Sequence, residues 1–213
     1  MKIVAHPREV ELKVEAMEIP ARHVLVFDIE TITGTWDNYG PRVRSSYLRP
    51  DQMVERDTMV CWAARVIGGK KFSAMLNTDE LKGGADVRIA EKLWVEIDKA
   101  DEVVGYNTDG FDIPWLQQIL FGHTDLDLRK PKKSTDLFKI MKKNSSRSVS
   151  NSMRTVLEQA EAVTLKGEPP VGWAKKIKHE GDMKVLRKVL KYCRQDVEVT
   201  THLYHMVAQA GWL

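Results

Sequence analysis

The pattern of hydrophobic and polar residues predicts a run of strands first, and then an alternation of strands and helices. The strongest strand signal covers His23 to Ile29, where Val24 to Phe27 are all apolar, as in a strand that is buried on both faces. Two further strands, Thr58 to Ile67 and Lys71 to Leu76, flank Gly68 and Gly69, a two-residue hairpin signal. An antiparallel meander beside the first strand is the simplest arrangement of these segments.

Helical periodicity appears in the second half of the chain. Asp86 is predicted to cap a helix that places Ile89, Leu93, Ile97 and Ala100 on one face. The other predicted elements are strands at Val43 to Leu48, Glu102 to Tyr106 and Ser134 to Leu137, helices at Ile113 to Phe121, Met153 to Ala160 and Asp182 to Ala208, and loops at Lys139 to Ser152 and Lys166 to Gly181. This order predicts an α/β fold with a mixed sheet.

Length and composition favour one globular domain. The 213 residues suffice for a single well-formed core, and we expect residues 1–22 to form an N-terminal strand or strap and residues 23–213 the domain. Two cysteines exclude a disulfide framework and fit a reducing compartment. Because there is neither a signal-peptide core nor an apolar run of about 20 residues, we expect a cytoplasmic protein without a membrane partner. The net charge of +3 permits an anionic partner but does not require one.

Two acids, Asp28 and Glu30, stand at the end of the first strand with one apolar residue between them. Residues two apart in a strand point to the same side, so both carboxylates enter one space. Their charges repel, and burial makes the charged forms less favourable still. A cation between them removes this conflict, and Mg²⁺ or Mn²⁺ is the usual ion for hard oxygen ligands. The alternative is that the strand ends here and the acids face solvent.

A second candidate site begins at Asn107 and ends at Asp112. Asp112 is predicted either to cap the helix that follows or to reach into a cleft, because α/β folds gather ligands at the carboxyl ends of their strands. Asn107 is either a turn residue or a polar contact in that cleft. Phe111 is either part of the core or a surface on which a base stacks.

The last helix carries a third candidate site. Asp196 falls within the apolar stripe of this helix, where an unpaired carboxylate is costly. Tyr192 precedes it by one turn, so the phenol and the carboxylate project together. The pair is either structural or part of a functional site.

Together the three segments resemble the exonuclease motifs of the DEDD superfamily. Asp28-Ile29-Glu30, Asn107-x3-Phe111-Asp112 and Tyr192-x3-Asp196 occur in the family's order. Lys191 occupies the position where the sister branch carries histidine, which indicates the tyrosine-bearing branch. That branch includes the proofreading domains of DNA polymerases. The resemblance implies a ribonuclease H-like fold, with a mixed five-stranded sheet flanked by helices.

The resemblance also implies a 3′–5′ exonuclease that releases nucleoside 5′-monophosphates from single-stranded DNA. Because the sequence ends soon after the last predicted helix, we expect either a stand-alone exonuclease or a fragment cut to that domain. The resemblance implies two bound Mg²⁺ or Mn²⁺ ions. The implied catalytic residues are Asp28, Glu30, Asp112, Tyr192 and Asp196, of which the four acids hold the metal ions. The implied substrate contacts are Thr31, Ile32, Asn107 and Phe111. Basic residues that could follow the phosphate backbone are Lys139, Lys142, Lys143, Arg147, Lys175, Lys176 and Lys178.

Partners and alternatives remain open at this point. We expect single-stranded DNA 3′ ends as the partner, with RNA as an alternative, and replication or repair proteins as further candidates. One rival function is an exoribonuclease of the same branch. The other is a non-catalytic nucleic-acid-binding module on a nuclease fold, which predicts an incomplete set of acids, whereas all four are present.

Overall fold

The structure, a computed structural model, describes residues 22–36, 53–144 and 168–213. Its strands are β1 (Val24–Ile32), β2 (Thr35–Trp36), β3 (Met53–Glu55), β4 (Thr58–Val66), β5 (Lys71–Met75), β6 (Glu102–Gly105) and β7 (Ser134–Asp136). Its helices are α1 (Thr78–Gly83), α2 (Val87–Lys99), α3 (Asp112–Leu120), α4 (Leu137–Asn144), α5 (Trp173–Glu180) and α6 (Met183–Gln209).

The main sheet is mixed and has five strands in the order β5-β4-β1-β6-β7. β1 pairs antiparallel with β4 and parallel with β6, and β6 pairs parallel with β7. β4 and β5 form the predicted hairpin across Gly68 and Gly69. The predicted α/β fold with a mixed five-stranded sheet is confirmed. Because β1, β6 and β7 run in the same direction, their carboxyl ends meet at one edge of the sheet.

β1 lies at the centre of the core, as its uninterrupted apolar run predicts. Leu25, Val26 and Phe27 are at most 1% exposed. The neighbouring strand shows which helices cover the two faces of the sheet. Trp62 donates its indole N–H to the Ile89 carbonyl of α2 at 2.7 Å, whereas the Cys61 thiol contacts α6. Successive residues of a strand point to opposite faces, so α2 and α6 pack on opposite sides.

Asp86 occupies the predicted N-cap position of α2, but its side chain has a different role. Its side chain makes no capping hydrogen bond to α2. The carboxylate, which is completely buried, instead accepts the backbone N–H of Met59 at 2.8 Å and pairs with the Arg56 guanidinium. A buried carboxylate is most stable where it has a cation and a backbone donor, and these lie on β4 and on the residues before it rather than on the helix.

The two predicted loops are partly helical. Lys139 to Asn144 belong to α4, and α5 lies within the predicted loop Lys166 to Gly181. The segment is rich in lysine, so its helical periodicity is difficult to recognise in the sequence. The apolar face of α5 is short, and its residue Ile177 is completely buried. Gly172 and Gly181, both with positive φ, flank this helix. They permit the sharp changes of direction that bound it.

Helix α1 was not predicted. Asn77 begins it with a capping box, in which the Asn77 side chain accepts the Glu80 N–H and the Glu80 carboxylate accepts the Asn77 N–H. None of its residues is buried, so it lacks the apolar periodicity by which longer helices are found.

Several predictions lie outside the described residues. These are the strap over residues 1–21, the strand Val43 to Leu48, the helix Met153 to Ala160 and Arg147. Among the helices that are described, none is long and apolar enough to cross a lipid bilayer.

Candidate functional site

Asp28 and Glu30 project to the same side of β1 near its carboxyl end, as their spacing predicts. A carboxylate oxygen of each residue and the sulfur of Cys193 all lie within 4.8 Å of one another. Cys193 belongs to α6, so this helix covers the side of β1 that carries the acids. The two carboxylates therefore share one space, and the alternative that both simply face solvent is wrong.

Asp112 is the first residue of α3 and is 4% exposed. Its Oδ1 accepts the backbone N–H of Ile29 at 3.3 Å. The pairing of β1 with β6 extends only to Val26 and Val104, so beyond that point the Asp112 carboxylate contacts β1. Phe111, not Asp112, stands at the helix cap, so the capping alternative for Asp112 is wrong. The carboxylate instead lies beside the Asp28 to Glu30 segment.

Asp196 and Tyr192 lie on α6 as the helical periodicity predicts. Asp196 is 5% exposed within the apolar stripe, between the buried residues Cys193 and Thr200. Tyr192 is half-buried and hydrogen-bonds to Asp196. Negative charges on Glu30 and Asp28 also act on this phenol. The last helix therefore delivers a carboxylate and a phenol to the acids of β1.

Three neighbouring acids act electrostatically on Asp28. Asp28 keeps part of its surface exposed, but protein surrounds its carboxylate, and this burial raises its pKa well above the usual value. Neighbouring negative charges raise the pKa further. In decreasing order of effect they belong to Asp112, Glu30 and Asp196. A weak hydrogen bond from the Cys193 thiol, at 3.5 Å from Asp28 Oδ2, acts in the opposite direction.

Burial also raises the pKa of Asp112, to about 7, although backbone hydrogen bonds, including that from Ile29, partly oppose the shift. The pKa of Tyr192 rises because of burial, then because of the charge of Asp196 and the hydrogen bond to it. The phenol therefore stays protonated across the physiological range.

This arrangement fits divalent cations. Buried carboxylates that repel one another are stable either as protonated acids or around a cation. Asp28, Glu30, Asp112 and Asp196 offer the oxygen ligands that Mg²⁺ and Mn²⁺ prefer. We therefore regard these four side chains as the candidate metal ligands of the described part of the chain.

Two thiols at the site were not singled out in the sequence. Cys61 and Cys193 are both free, completely buried and in contact with each other. Cys193 lies in the helical stripe that contains Asp196, and Cys61 pairs with Glu30 in the β1–β4 register. These two positions could have indicated that the thiols lie near the acids. The indication is weak, because cysteine is so often a core residue.

The candidate substrate contacts differ in exposure. Thr31, at a bulge of β1, is partly buried, whereas Ile32 is only 6% exposed and packs in the core. Asn107 is exposed and has a positive φ of 65°. Phe111 is 38% exposed, with its ring 5.7 Å from that of Trp115. Phe111 and Asn107 thus offer accessible surface next to Asp112, and Ile32 offers little.

Two of the candidate basic residues make defined contacts. Lys139 donates to Asp109 Oδ2 at 2.6 Å, and Lys178 donates to the Thr33 carbonyl at 3.1 Å. Lys178 and Ile32 also line a cavity of about 290 Å³. The basic helix α5 therefore contacts the chain just beyond the end of β1.

Comparisons with known proteins agree with this architecture. Among solved structures, the family B DNA polymerase of the hyperthermophilic archaeon Pyrobaculum calidifontis matches with a TM-score of 0.64 and 19% sequence identity. The match covers 89% of this chain and 25% of the polymerase, so the chain spans about a quarter of the length of that protein. At this level of identity the likeness shows the fold alone. No curated protein has a significantly similar sequence.

The family model of the RNase H superfamily matches residues 53–208. This segment contains three of the five candidate catalytic residues, Asp112, Tyr192 and Asp196, and the strands that pair with β1 on either side. The predicted ribonuclease H-like fold is confirmed, and the chain belongs to the RNase H superfamily.

Proposed function

We propose that this protein is a 3′–5′ exonuclease of the tyrosine-bearing DEDD branch that shortens single-stranded DNA with the help of two divalent metal ions. The observation that carries the proposal is the convergence of Asp28, Glu30, Asp112 and Asp196, which come from three separate segments of the chain. The structural likeness to a polymerase supports the fold on which such a site is built.

Each acid has a defined part in the proposed metal site. Asp28, Glu30 and Asp196 would hold one ion, and Asp28 and Asp112 would hold the second. When bound, the two ions lower the pKa of the attacking water and stabilise the leaving 3′ oxygen. The repulsion that raises the pKa of Asp28 in the metal-free protein is then offset by the positive charge.

Tyr192 would orient the attacking water. Its raised pKa keeps the hydroxyl protonated, which makes it a hydrogen-bond donor and a poor base. In the structure the single O–H proton is donated to Asp196, and the hydroxyl would turn towards the water once Asp196 binds a metal ion. A positioned donor lowers the barrier by holding the water in line with the scissile bond.

The substrate would lie along the exposed residues next to Asp112. Phe111 offers an aromatic surface for a terminal base, and Asn107 offers a polar side chain. Lysines of α4 and α5 would follow the phosphates, because α4 begins at the carboxyl end of β7 and Lys178 of α5 contacts Thr33 just beyond the carboxyl end of β1. Replication or repair proteins would supply the 3′ ends in the cell.

The proposal is tested by a degradation time course. Single-stranded DNA labelled at the 5′ or the 3′ end, and RNA of the same sequence, are incubated with Mg²⁺, Mn²⁺ or EDTA. We expect the 5′-labelled DNA to shorten one nucleotide at a time and the 3′ label to appear at once as a mononucleotide. EDTA should stop both reactions.

Two variants make the test specific. Asp28→Ala removes a carboxylate common to both proposed ion sites and should abolish cleavage. Asp127→Ala removes an acid that pairs only locally with Arg129 and should retain full activity. Cleavage from the 5′ end, or Mg²⁺-dependent cleavage by Asp28→Ala, would contradict the proposal. Faster degradation of RNA than of DNA would instead favour the exoribonuclease.

A further inference from the structure

A fifth acid, Asp136, lies at the same edge of the sheet as the candidate metal ligands. It is the last residue of β7 and pairs with Gly105, the last residue of β6. It is 4% exposed. A buried carboxylate needs several hydrogen-bond donors, and three backbone N–H groups donate to Asp136.

The carboxylate of Asp136 connects two segments of the chain. Its Oδ1 accepts the backbone N–H of Asn107 at 2.9 Å and that of Phe138 at 3.0 Å. Its Oδ2 accepts the N–H of Asp109 at 3.3 Å. Both oxygens are therefore engaged by the turn after β6 and by the first residues of α4.

This turn contains a residue with left-handed backbone conformation. Asn107 is the one non-glycine residue with a positive φ in the part of the chain that the structure describes. Asparagine tolerates left-handed backbone better than most residues, and contacts around the turn hold this conformation in place. The hydrogen bond from Asn107 to Asp136 is such a contact.

Hydrogen bonds and the peptide bond from Phe111 to Asp112 connect this turn to β1. The Asn107 carbonyl accepts the N–H groups of Gly110 and Phe111, at 3.1 and 2.9 Å. Phe111 precedes Asp112, whose carboxylate accepts the N–H of Ile29. A displacement of Asn107 would therefore move Asp112 relative to β1.

We propose that Asp136 is a positioning residue that holds the turn from Asn107 to Asp112 and thereby keeps the Asp112 carboxylate against β1. Its catalytic consequence rests on the proposed function, because Asp112 is there a ligand of the second metal ion. Residues behind metal ligands typically contribute 10–100-fold in metal affinity or activity. Asp136 itself contacts neither metal nor substrate in this account.

The test compares Asp136→Asn and Asp136→Ala with Glu102→Gln. Asparagine keeps one acceptor oxygen and places an NH₂ group against the Asp109 N–H, whereas alanine removes all three hydrogen bonds. Glu102 is a matched control, since it is a buried carboxylate at the other end of β6 and accepts a hydrogen bond from Thr135 on β7. Its loss should lower stability without moving the turn.

Amide hydrogen exchange gives a readout that does not depend on activity. We expect exchange at Ile29 to rise at least about 10-fold in Asp136→Ala and less in Asp136→Asn, relative to exchange at Leu76. The Leu76 amide donates to Val60 between β5 and β4, away from the turn, and so reports general destabilisation. Glu102→Gln should leave this ratio unchanged.

Kinetics give the second readout. We expect the half-saturating Mn²⁺ concentration to rise about 10–100-fold in Asp136→Ala, with a lower kcat and an unchanged KM for DNA. If Asp136→Ala does not fold, the same measurements are made on Asp136→Asn. An Ile29 to Leu76 exchange ratio equal to that of wild type in Asp136→Asn would overturn the inference. If wild-type protein does not cleave DNA, the proposed function fails, while the exchange ratio still decides the role of Asp136.

Discussion

At the scale of single residues, the candidate site is defined by acids whose metal-free state is costly. Asp28 and Asp112 both have raised pKa values, in each case chiefly because of burial. Such shifts couple proton binding to folding, since the folded protein retains protons that the unfolded chain releases. The same residues therefore predict a pH dependence of stability and a coupling between metal binding and proton release.

We predict that the metal-free protein loses stability as the pH rises from about 4 to about 7. In this window unfolded Asp112, with a pKa of 3.8, has lost its proton, whereas folded Asp112, with a pKa of about 7, still holds it. The free energy of unfolding from urea denaturation, measured with EDTA at several pH values, checks this. Asp112→Asn keeps an oxygen for the Ile29 N–H and should show a smaller slope. An equal slope in this variant would contradict the assignment.

Tyr192→Phe is predicted to slow turnover about 10²–10⁴-fold while leaving Mn²⁺ affinity within about 2-fold of wild type. The ring remains, and the loss is confined to the hydroxyl, which hydrogen-bonds to Asp196 in the structure and is proposed to orient the water. Single-turnover rates and calorimetric Mn²⁺ titration separate the two effects. If Tyr192→Phe no longer bound Mn²⁺, the tyrosine would have a structural role in the metal site.

At the scale of elements, the connection between β6 and α3 is closely packed against itself. A Cβ atom on Gly105 would lie 1.6 Å from the Thr108 hydroxyl oxygen and 2.7 Å from the Thr108 Cβ. The Thr108 carbonyl accepts the N–H of Ile113 in the first turn of α3. A shift of Thr108 would therefore move the start of the helix that carries Asp112.

We predict that Gly105→Ala lowers the free energy of unfolding by about 1–3 kcal/mol and reduces exonuclease activity more than stability alone explains. Gly83→Ala is the control, because a Cβ there would meet no atom within 4 Å. Thermal denaturation and the degradation assay, both at a temperature where each variant is folded, check this. Wild-type activity in Gly105→Ala would show that the close approach to Thr108 does not position Asp112.

The sequence predicted the elements whose apolar periodicity is long or unbroken. β1, the β4–β5 hairpin, α2 and α6 were found because core packing dictates their residue pattern. α1 and α5 were missed because they bury few or no side chains and depend on caps or flanking glycines. The acids on β1 and α6 stood out as charges within apolar patterns. The hydrogen bonds of the Asp86 and Asp136 side chains could not be predicted, because their partners are distant in sequence.

At the scale of the whole molecule, the mixed sheet brings together residues that are more than 160 positions apart. β1 supplies Asp28 and Glu30, the connection after β6 supplies Asp112, and α6 supplies Asp196. Strand direction explains this convergence, because β1 and β6 end at the same edge. The fold thus concentrates negative charge at one place, and a bound cation would stabilise the folded state over the unfolded chain.

Calorimetric titration with Mn²⁺ tests the central claim most directly, because it counts the ions that the acid cluster holds. We predict that wild-type protein binds two Mn²⁺ ions per chain, with proton release at pH 6, and that Asp28→Ala loses saturable binding at both sites. The melting temperature of wild type, but not of Asp28→Ala, should rise with Mn²⁺. No saturable binding by wild type, or the same two ions in Asp28→Ala, would contradict the account.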